Sequence, residues 1–142
     1  MPQILIGKEF PQNVIPLLDL AKKSIDIIVF DWRWYPQDPG ALCQLFNQAI
    51  VRASRRGVQV RAIANHGEII KILNDLGCQA KKLTTQRLVH CKIMIIDGEC
   101  LISGSHNYTQ NAFNINYEMS LILHDAEAAL VATNFFNNLF SS

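Results

Sequence analysis

The sequence has 142 residues, of which 49% are hydrophobic and 18% are charged, and its formal net charge at pH 7 is +1. This length and composition are typical of one compact domain and exclude a disordered or low-complexity chain, so we predict a single domain over residues 1–142. No apolar run has the length of a transmembrane helix, and residues 1–9 do not have the pattern of a signal peptide. We therefore expect no integral membrane association.

The chain has four cysteines, and none of them belongs to a C-x-x-C pair. They are Cys43, Cys78, Cys91 and Cys100. Widely spaced cysteines in a small chain favour reduced thiols over a disulfide framework or a zinc site. We expect a cytoplasmic protein that holds no metal ion.

Hydrophobic periodicity predicts alternating strands and helices along most of the chain. Short apolar or alternating runs predict strands at residues 3–7, 25–30, 58–64, 78–83 and 117–123. Apolar residues at helical spacing predict helices that begin after an Asn13 cap, near Gly40, after Gly67 and at an Asp125 cap. The final helix should bury Ala128, Val131, Ala132, Phe135 and Leu139, and residues 109–114 should form a loop. Strands that alternate with helices predict an α/β fold in which helices sandwich a mixed β-sheet.

An aromatic and charged segment directly follows the apolar strand at residues 25–30. Trp32, Arg33 and Trp34 lie within it. Aromatic rings beside an arginine suit the stacking of a nucleobase or the binding of a lipid chain. The same rings are equally suited to a dimer contact or to the edge of the core, and the sequence leaves these alternatives open.

Basic residues are concentrated between Arg52 and Lys92, where nine lysines and arginines accompany two carboxylates. This asymmetry predicts a surface that attracts anions. Three arginines at the start of the segment have helical spacing and are expected on a solvated helix face: Arg52, Arg55 and Arg56. Three basic residues near its end are the expected phosphate contacts: Lys81, Lys82 and Arg87.

Residues 90–107 have the sequence pattern that most strongly indicates a local structure and a function. Asp97-Gly98 between two apolar runs is typical of a β-hairpin, because such a turn needs positive φ at both central residues. In the strand before the turn, alternation places His90 and Lys92 side by side on one face. A neutral imidazole beside an ammonium group is suited to attack on phosphorus, because the cation binds phosphate oxygens. The second strand ends in Gly104-Ser105-His106-Asn107, where glycine permits close backbone approach and the polar side chains can donate hydrogen bonds.

Together, His90-x-Lys92, Asp97 and Gly104-Ser105-x-Asn107 resemble the HKD motif of the phospholipase D superfamily, with the spacing matched without insertion. Glu118 is similar to the acidic position that follows the motif. The resemblance implies a phospholipase D-like fold with one HKD motif at residues 90–107, closest in layout to the small single-motif bacterial endonucleases. It also implies a phosphodiesterase that works through a phosphohistidine and needs neither a metal ion nor another cofactor.

The resemblance further implies a role for each residue of the motif. His90 is the expected nucleophile, and the side chains of Lys92 and Asn107 are the expected phosphate ligands. Three further residues have supporting roles: Ser105 in the glycine turn, Asp97 within the motif, and Glu118, which orients a histidine. As the first residue of an Asp-Gly turn, Asp97 is equally suited to a purely structural role.

The number of H-x-K motifs affects the predicted mechanism. Displacement of an alkoxide needs a general acid besides the nucleophile, but the chain has one H-x-K. His106 is the only other histidine expected near the phosphate, and a loop position that points away from the substrate is the favoured alternative for it. We therefore predict a twofold homodimer that places two copies of His90 across one substrate.

Three functions are consistent with these features. The first is a sequence-nonspecific nuclease that acts on DNA or RNA, which the basic segment and the aromatic residues favour. The second is a phospholipase D-type hydrolase of phospholipid head groups, although the sequence shows no amphipathic lipid-anchoring helix. The third is a non-catalytic nucleic-acid-binding module, against which the intact histidine, lysine and asparagine argue.

Overall fold

The computed structural model describes residues 1–142 and contains seven β-strands and five α-helices. The strands are β1 (Gln3–Ile6), β2 (Ser24–Ile28), β3 (Gln59–Ile63), β4 (Gln79–Lys81), β5 (Ile93–Ile96), β6 (Cys100–Gly104) and β7 (Met119–His124). The helices are α1 (Glu9–Leu20), α2 (Leu42–Arg55), α3 (Gly67–Asp75), α4 (Gln110–Asn114) and α5 (Ala126–Phe140). None of these helices has the length and apolar character needed to cross a lipid bilayer.

All seven strands join one sheet in the order β1-β7-β6-β5-β2-β3-β4. β2, β3 and β4 run parallel, because α2 and α3 connect them as crossovers. Every other neighbouring pair of strands is antiparallel. The predicted mixed α/β sheet is therefore confirmed, and β4 is an edge strand as expected.

Helices cover both faces of this sheet. The larger core cluster lies between the sheet and helices α1 to α4, and it includes Ile25 and Ile27. The smaller cluster lies under α5 and includes Ile28, Ile95 and Phe136. β2 contributes side chains to both cores, which agrees with its continuous apolar run in the sequence.

The predicted hairpin at Asp97-Gly98 connects β5 to β6. Asp97 and Gly98 have φ angles of +55° and +65°. The N–H group of Glu99 donates to the C=O group of Ile96 at 3.0 Å. Positive φ at both central residues is the property expected of this turn, so the hairpin prediction is confirmed.

Two local predictions near the helices are wrong. α1 begins at Glu9 rather than after Asn13, because the buried ring of Phe10 extends the apolar face toward the N-terminus. The side chain of Asn13 donates instead to the C=O group of Glu9 at 2.8 Å. Residues 109–114 form a helical turn rather than a loop, because the hydroxyl of Thr109 caps α4.

The buried face of α5 is rotated from the predicted one. Asp125 caps the helix as predicted, by accepting hydrogen bonds from backbone N–H groups. The buried residues, however, are Ala129 and Phe136, which face the sheet. Val131 and Phe135, both predicted to be buried, are 71% and 46% exposed. Periodicity identified an apolar helix but not which of its adjacent apolar rows faces the sheet.

The side chain of Asp97 connects the hairpin to the start of β2 by hydrogen bonds. Its carboxylate accepts hydrogen bonds from the N–H groups of Lys22, Lys23 and Ser24 at distances of 2.6 to 3.1 Å. Partial burial by itself raises the pKa of Asp97, but these three donors outweigh burial and bring the pKa below its ordinary value. The charged carboxylate therefore stabilises the entry to the central strand.

We expect Asp97→Asn to lower the free energy of unfolding by about 1.5–3 kcal/mol, because a charged acceptor is replaced by a neutral one. Since the folded pKa of Asp97 is depressed, its contribution is present above the unfolded carboxyl pKa of about 4 and is lost as the pH falls through the folded value. Urea unfolding at several pH values measures both effects. Asp38→Asn, at an exposed carboxylate, is the matched control. Equal stability of the two variants at neutral pH would contradict this role.

Candidate active site

The residues of the predicted motif lie at one edge of the sheet, the one that is formed by the ends of the strands rather than by an outer strand. His90 and Lys92 immediately precede β5, Ser105 and Asn107 follow β6, and Glu118 precedes β7. β6 ends where β5 and β7 begin, because these neighbouring strands are antiparallel. The carboxyl end of β2 reaches the same edge, since β2 is antiparallel to β5. The fold therefore brings these five residues to a common edge.

The imidazole of His90 and the ammonium group of Lys92 are in contact. Lys92 Nζ lies 3.1 Å from His90 Nδ1 and 3.3 Å from His90 Nε2. The ring of Phe30 packs against the imidazole with a centroid distance of 4.9 Å and lies 5.5 Å from Lys92 Nζ. His90 is nevertheless exposed. The ring is thus supported by Phe30 while it stays accessible to a substrate.

Asn107 is oriented by the backbone that follows β2. Its Oδ1 atom accepts a hydrogen bond from the N–H group of Asp31 at 3.0 Å. This bond uses the oxygen of the amide and leaves its Nδ2 group as the donor. A donor held in this way is suited to binding a phosphate oxygen.

Glu118 and Ser105 form a hydrogen-bonded pair across the ends of β6 and β7. Ser105 Oγ donates to Glu118 Oε1 at 2.5 Å and accepts from the N–H group of Met119 at 3.0 Å. Asn116 Nδ2 donates to the other carboxylate oxygen of Glu118 at 3.0 Å. No histidine of this chain hydrogen bonds with Glu118, so the expected pairing of Glu118 with a histidine is not made within one chain.

Gly104 allows β6 and β7 to approach closely beside this pair. A Cβ atom at Gly104 would overlap the backbone of Ser120 and Met119. Any larger residue would therefore displace β7 and, with it, the carboxylate of Glu118. The close backbone approach predicted for the glycine turn is confirmed.

Two of the predicted site residues lie outside the site. Asp97 is at the opposite end of β5 from His90, roughly 20 Å along the strand, where its carboxylate serves the turn. His106 is 1% exposed, with Nδ1 2.7 Å from Ser120 Oγ and Nε2 2.8 Å from the C=O oxygen of Gly7. Burial lowers the pKa of His106, and the Gly7 carbonyl opposes this only in part. Asp97 therefore has a structural role, and the predicted substrate contact of His106 is wrong because both ring nitrogens are engaged.

The aromatic segment after β2 is divided between the core and the surface. Trp32 is 1% exposed, and its Nε1 group donates to Asn47 Oδ1 at 2.8 Å inside the core. Trp32 also lines a surface cleft, but its burial leaves little of its ring open to a substrate. Trp34 is half-buried and lines the same cleft. Arg33 is exposed and forms an ion pair with Asp31 at 2.7 Å.

Most of the basic segment is engaged within the chain. Three of its members pair with carboxylates: Arg52, Arg61 and Lys71. Lys81, an expected phosphate contact, donates instead to the C=O groups of Phe140 and Ser142 at 2.7 and 3.0 Å, because the C-terminus folds back onto β4. Lys82 and Arg87 are exposed and have no carboxylate partner. The anion-attracting surface is thus smaller than the sequence suggested: Lys82 and Arg87 lie on the segment before His90, and the exposed Arg55 lies apart from them at the end of α2.

Asn65, directly after β3, anchors the segment that carries His90. Its Nδ2 group donates to the C=O groups of Phe30 at 2.9 Å and Val89 at 3.1 Å. Residues 84–92 form neither helix nor strand, so this side chain is a principal anchor of their backbone. In the sequence, Asn65 is one residue of a polar turn, and nothing in that turn reveals its distant partners. Its position at the carboxyl end of a strand that reaches the same sheet edge is the signal that could have identified it.

A cleft of about 600 Å³ opens beside Asn107. Asp31 lies in its wall, and one carboxylate oxygen of Asp31 is 2.7 Å from Arg33 Nε and 3.6 Å from His66 Nε2. The indole of Trp34 also lines the cleft. The N–H group of Asp31 donates to Asn107, so the wall of the cleft is hydrogen bonded to a residue of the motif.

Known proteins share this sequence pattern and this fold. Residues 14–140 match the family described as "Cardiolipin synthase, PLD-like domain". A phospholipase D of Rickettsia prowazekii (strain Madrid E) is 29% identical over 134 residues, which are 90% of this chain and 60% of that protein. NucT from Helicobacter pylori has the same fold, with a TM-score of 0.80 and 22% identity over 100% of this chain and 96% of that one. Nuc from Salmonella typhimurium, a phospholipase D family member, has a TM-score of 0.80 and 20% identity over 99% of this chain and 95% of that one.

We expect Asn65→Ala to lower kcat for phosphodiester cleavage by about 10- to 100-fold, because a small displacement of His90 removes it from the line of attack. Hydrogen exchange of residues 84–92 should become faster, since the C=O group of Val89 loses its donor. Asn74→Ala is the matched control, because Asn74 bridges the backbone of Ala80 far from the motif. A variant at Asn65 with normal exchange and normal kcat would show that this anchor is dispensable.

Proposed function

The chain belongs to the phospholipase D-like family, and we propose that it is a metal-independent phosphodiesterase, a sequence-nonspecific nuclease that works through a phosphohistidine at His90. The observation that carries the proposal is the 3.1 Å contact between Lys92 Nζ and the His90 ring, at the sheet edge that also presents Asn107. An exposed imidazole with these neighbours is a nucleophile beside two groups that bind phosphate oxygens.

In the proposed first step, a ring nitrogen of His90 attacks the phosphorus atom, and the bond from phosphorus to the leaving alkoxide breaks. Lys92 and Asn107 donate hydrogen bonds to the non-bridging oxygens, where negative charge develops. The alkoxide takes a proton from a general acid. Water then attacks the phosphohistidine and gives its proton to the group that protonated the alkoxide; the bond from phosphorus to nitrogen breaks, which releases the phosphate product and restores the imidazole.

The general acid is proposed to be the His90 of a second copy of the chain. One chain contains a single H-x-K motif, and its Glu118 carboxylate has no histidine partner of its own. In a twofold dimer each Glu118 is available to a histidine of the partner subunit. The same symmetry would place two imidazoles across one phosphodiester, so that one attacks while the other protonates the leaving group.

An apolar surface next to Glu118, here named the β1/β7 patch, supports the homodimer. Ile4 and Ile6 of β1 pair with Leu121 and Met119 of β7. Strand register places these four side chains on the same sheet face as α5, which covers β2, β5 and β6. Ile6 and Met119 are 55% and 56% exposed. An uncovered apolar patch marks an interaction surface, and a second copy is its proposed occupant because the adjoining site is incomplete in one chain.

Two surface features favour nucleic acid as the substrate. Lys82 and Arg87 are exposed on the segment that leads to His90, and both are available to phosphates that flank the scissile one. The cleft beside Asn107 has a mostly polar lining, which suits a nucleotide better than an acyl chain. A polymer of phosphodiesters would use both features at once.

A phospholipid is the second candidate substrate. The Rickettsia prowazekii relative is a phospholipase D, and the family description names a cardiolipin synthase. The reaction at phosphorus would be the same, because phospholipids and nucleic acids are both phosphodiesters. The two candidates differ in the surface that recognises the groups on either side of the phosphate.

We expect the purified protein to cleave plasmid DNA or RNA in the presence of EDTA, since no step of the proposed mechanism uses a metal ion. His90→Ala should lower the rate by at least about 1000-fold, because it removes the nucleophile. His124→Ala is the matched control, because His124 is exposed at the end of β7 far from the motif. Denaturation in alkali, with a substrate radiolabelled at phosphorus, should trap a base-stable and acid-labile phosphoryl group on the wild-type protein only.

Three other results would change the assignment. Cleavage that required an added divalent metal would contradict the phosphohistidine mechanism. Turnover of phosphatidylglycerol vesicles without turnover of either nucleic acid would make the phospholipid the substrate. Binding of nucleic acid with no turnover of any substrate would identify a non-catalytic module.

We expect Ile6→Lys to raise the dimer dissociation constant about tenfold or more, because a charge in an apolar contact must be desolvated. Activity per chain should fall in parallel at concentrations where the variant is monomeric, measured by analytical ultracentrifugation beside a rate assay. Leu20→Lys, at an exposed residue at the end of α1, is the matched control. Constant activity per chain through a dimer-to-monomer transition would refute the shared site.

A further inference from the structure

The cleft beside Asn107 is enclosed by side chains from several elements, and it has no role in the proposed reaction at phosphorus. Its volume of about 600 Å³ lies within the range of small-molecule sites. Asp31 and Trp34 come from the segment after β2, and Asn111 comes from α4. His66, directly after β3, closes a further side. The cleft is therefore held by elements that the sheet already fixes.

The lining of the cleft is unsuited to an acyl chain. Six of its fifteen lining residues are hydrophobic, and the others are polar or charged. An acyl chain placed there would bury polar groups without hydrogen-bond partners, which is unfavourable. A ligand with an aromatic face and a polar edge would satisfy both parts of the lining.

Two side chains in the cleft are available to such a ligand. Trp34 is half-buried: part of its indole packs against the larger core cluster, the rest lines the cleft, and the ring makes no hydrogen bond within the chain. Asn111 is exposed, and its amide likewise forms no hydrogen bond within the chain, whereas the side chains of Gln110 and Thr109 are engaged with backbone N–H groups. An amide can pair with the hydrogen-bonding edge of a nucleobase, and an indole can stack on its face.

Resting on the proposed nuclease function, we propose that this cleft is a nucleoside subsite, in which Trp34 stacks on the base next to the scissile phosphate and Asn111 hydrogen bonds with its edge. Stacking accepts every base, so the subsite is compatible with cleavage that does not depend on sequence.

The subsite is coupled to the phosphate position through Asp31. The N–H group of Asp31 fixes Asn107 at 3.0 Å, and its carboxylate forms part of the cleft wall. A base seated in the cleft would therefore position its own phosphate relative to Asn107 and the nucleophile. Positioning by a group remote from the reacting atoms raises the reaction rate as well as the affinity.

The test compares a short single-stranded oligonucleotide with a tetrahydrofuran abasic oligomer of the same length. Wild-type protein should have a higher kcat/KM for the oligomer that carries bases. Trp34→Ala should lower kcat/KM for that oligomer by about 5- to 150-fold, which is the effect of losing one stacked base, and should leave the abasic oligomer unaffected. Trp34→Phe should restore part of the difference, and Asn111→Ala should reduce it with little effect on folding, since Asn111 is exposed. Asn138→Ala, at an exposed asparagine of α5 outside the cleft, is the matched control.

Failure of the subsite and failure of the nuclease function give different results. Equal cleavage of both oligomers by the wild type, or equal losses on both in the Trp34 and Asn111 variants, would overturn the subsite and leave the nuclease function standing. Absence of wild-type cleavage of the base-bearing oligomer, in a preparation that hydrolyses phosphatidylglycerol vesicles, would overturn the nuclease function and the subsite with it.

Discussion

The ammonium group of Lys92 lies against the imidazole of His90 just before β5 begins, and the candidate site depends on this contact. The intervening Cys91 points the other way and packs on the core under α5. Residues 84–92 have no regular structure of their own, so the pair depends on the central strands for its position. Phe30 at the end of β2 supports the ring, and Asn65 after β3 holds the backbone beside it. The two residues that support His90 therefore follow strands that the core already fixes.

The parts of the fold that could be predicted from sequence are those with a local cause. The Asp97-Gly98 hairpin depends on turn geometry, and the contact of Lys92 with His90 depends on a spacing of two residues, so a few adjacent residues determine both. The environments of Trp32 and His106 could not be predicted, because they depend on helices distant in sequence. Trp32 is buried since Asn47 of α2 supplies an acceptor for its indole N–H group. Trp34 is only half-buried, although both tryptophans lie in the same five-residue segment.

The basic surface could likewise not be predicted from the sequence, because the partners of its residues are distant in the chain. An excess of lysine and arginine in one segment indicates a basic surface only when its members lack carboxylate partners. Arg61 shows why the count misleads, because its guanidinium pairs with the buried Asp26 at 2.8 Å and lies 4.8 Å from the ring of Phe136. The ammonium group of Lys81 likewise has a partner within the chain, because it donates to the C=O group of Phe140. Lys82 and Arg87, on the irregular segment before His90, are exposed and have no carboxylate partner, and the same is true of Arg55 at the end of α2.

The other histidines of the chain give a physical reason for a shared site. His106 is enclosed between Ser120 and the backbone of Gly7, so it cannot deliver a proton to a substrate. His124 lies at the end of β7 that is remote from the motif. His66 reaches the correct edge, but it follows β3, and β2 separates β3 from β5 by two strand spacings, about 10 Å. Its ring is directed at Asp31 in the cleft rather than at the nucleophile. In the proposed dimer, a twofold axis beside Glu118 would supply the missing general acid with no further residue, because the imidazole that each site lacks is one that every copy of the chain already carries.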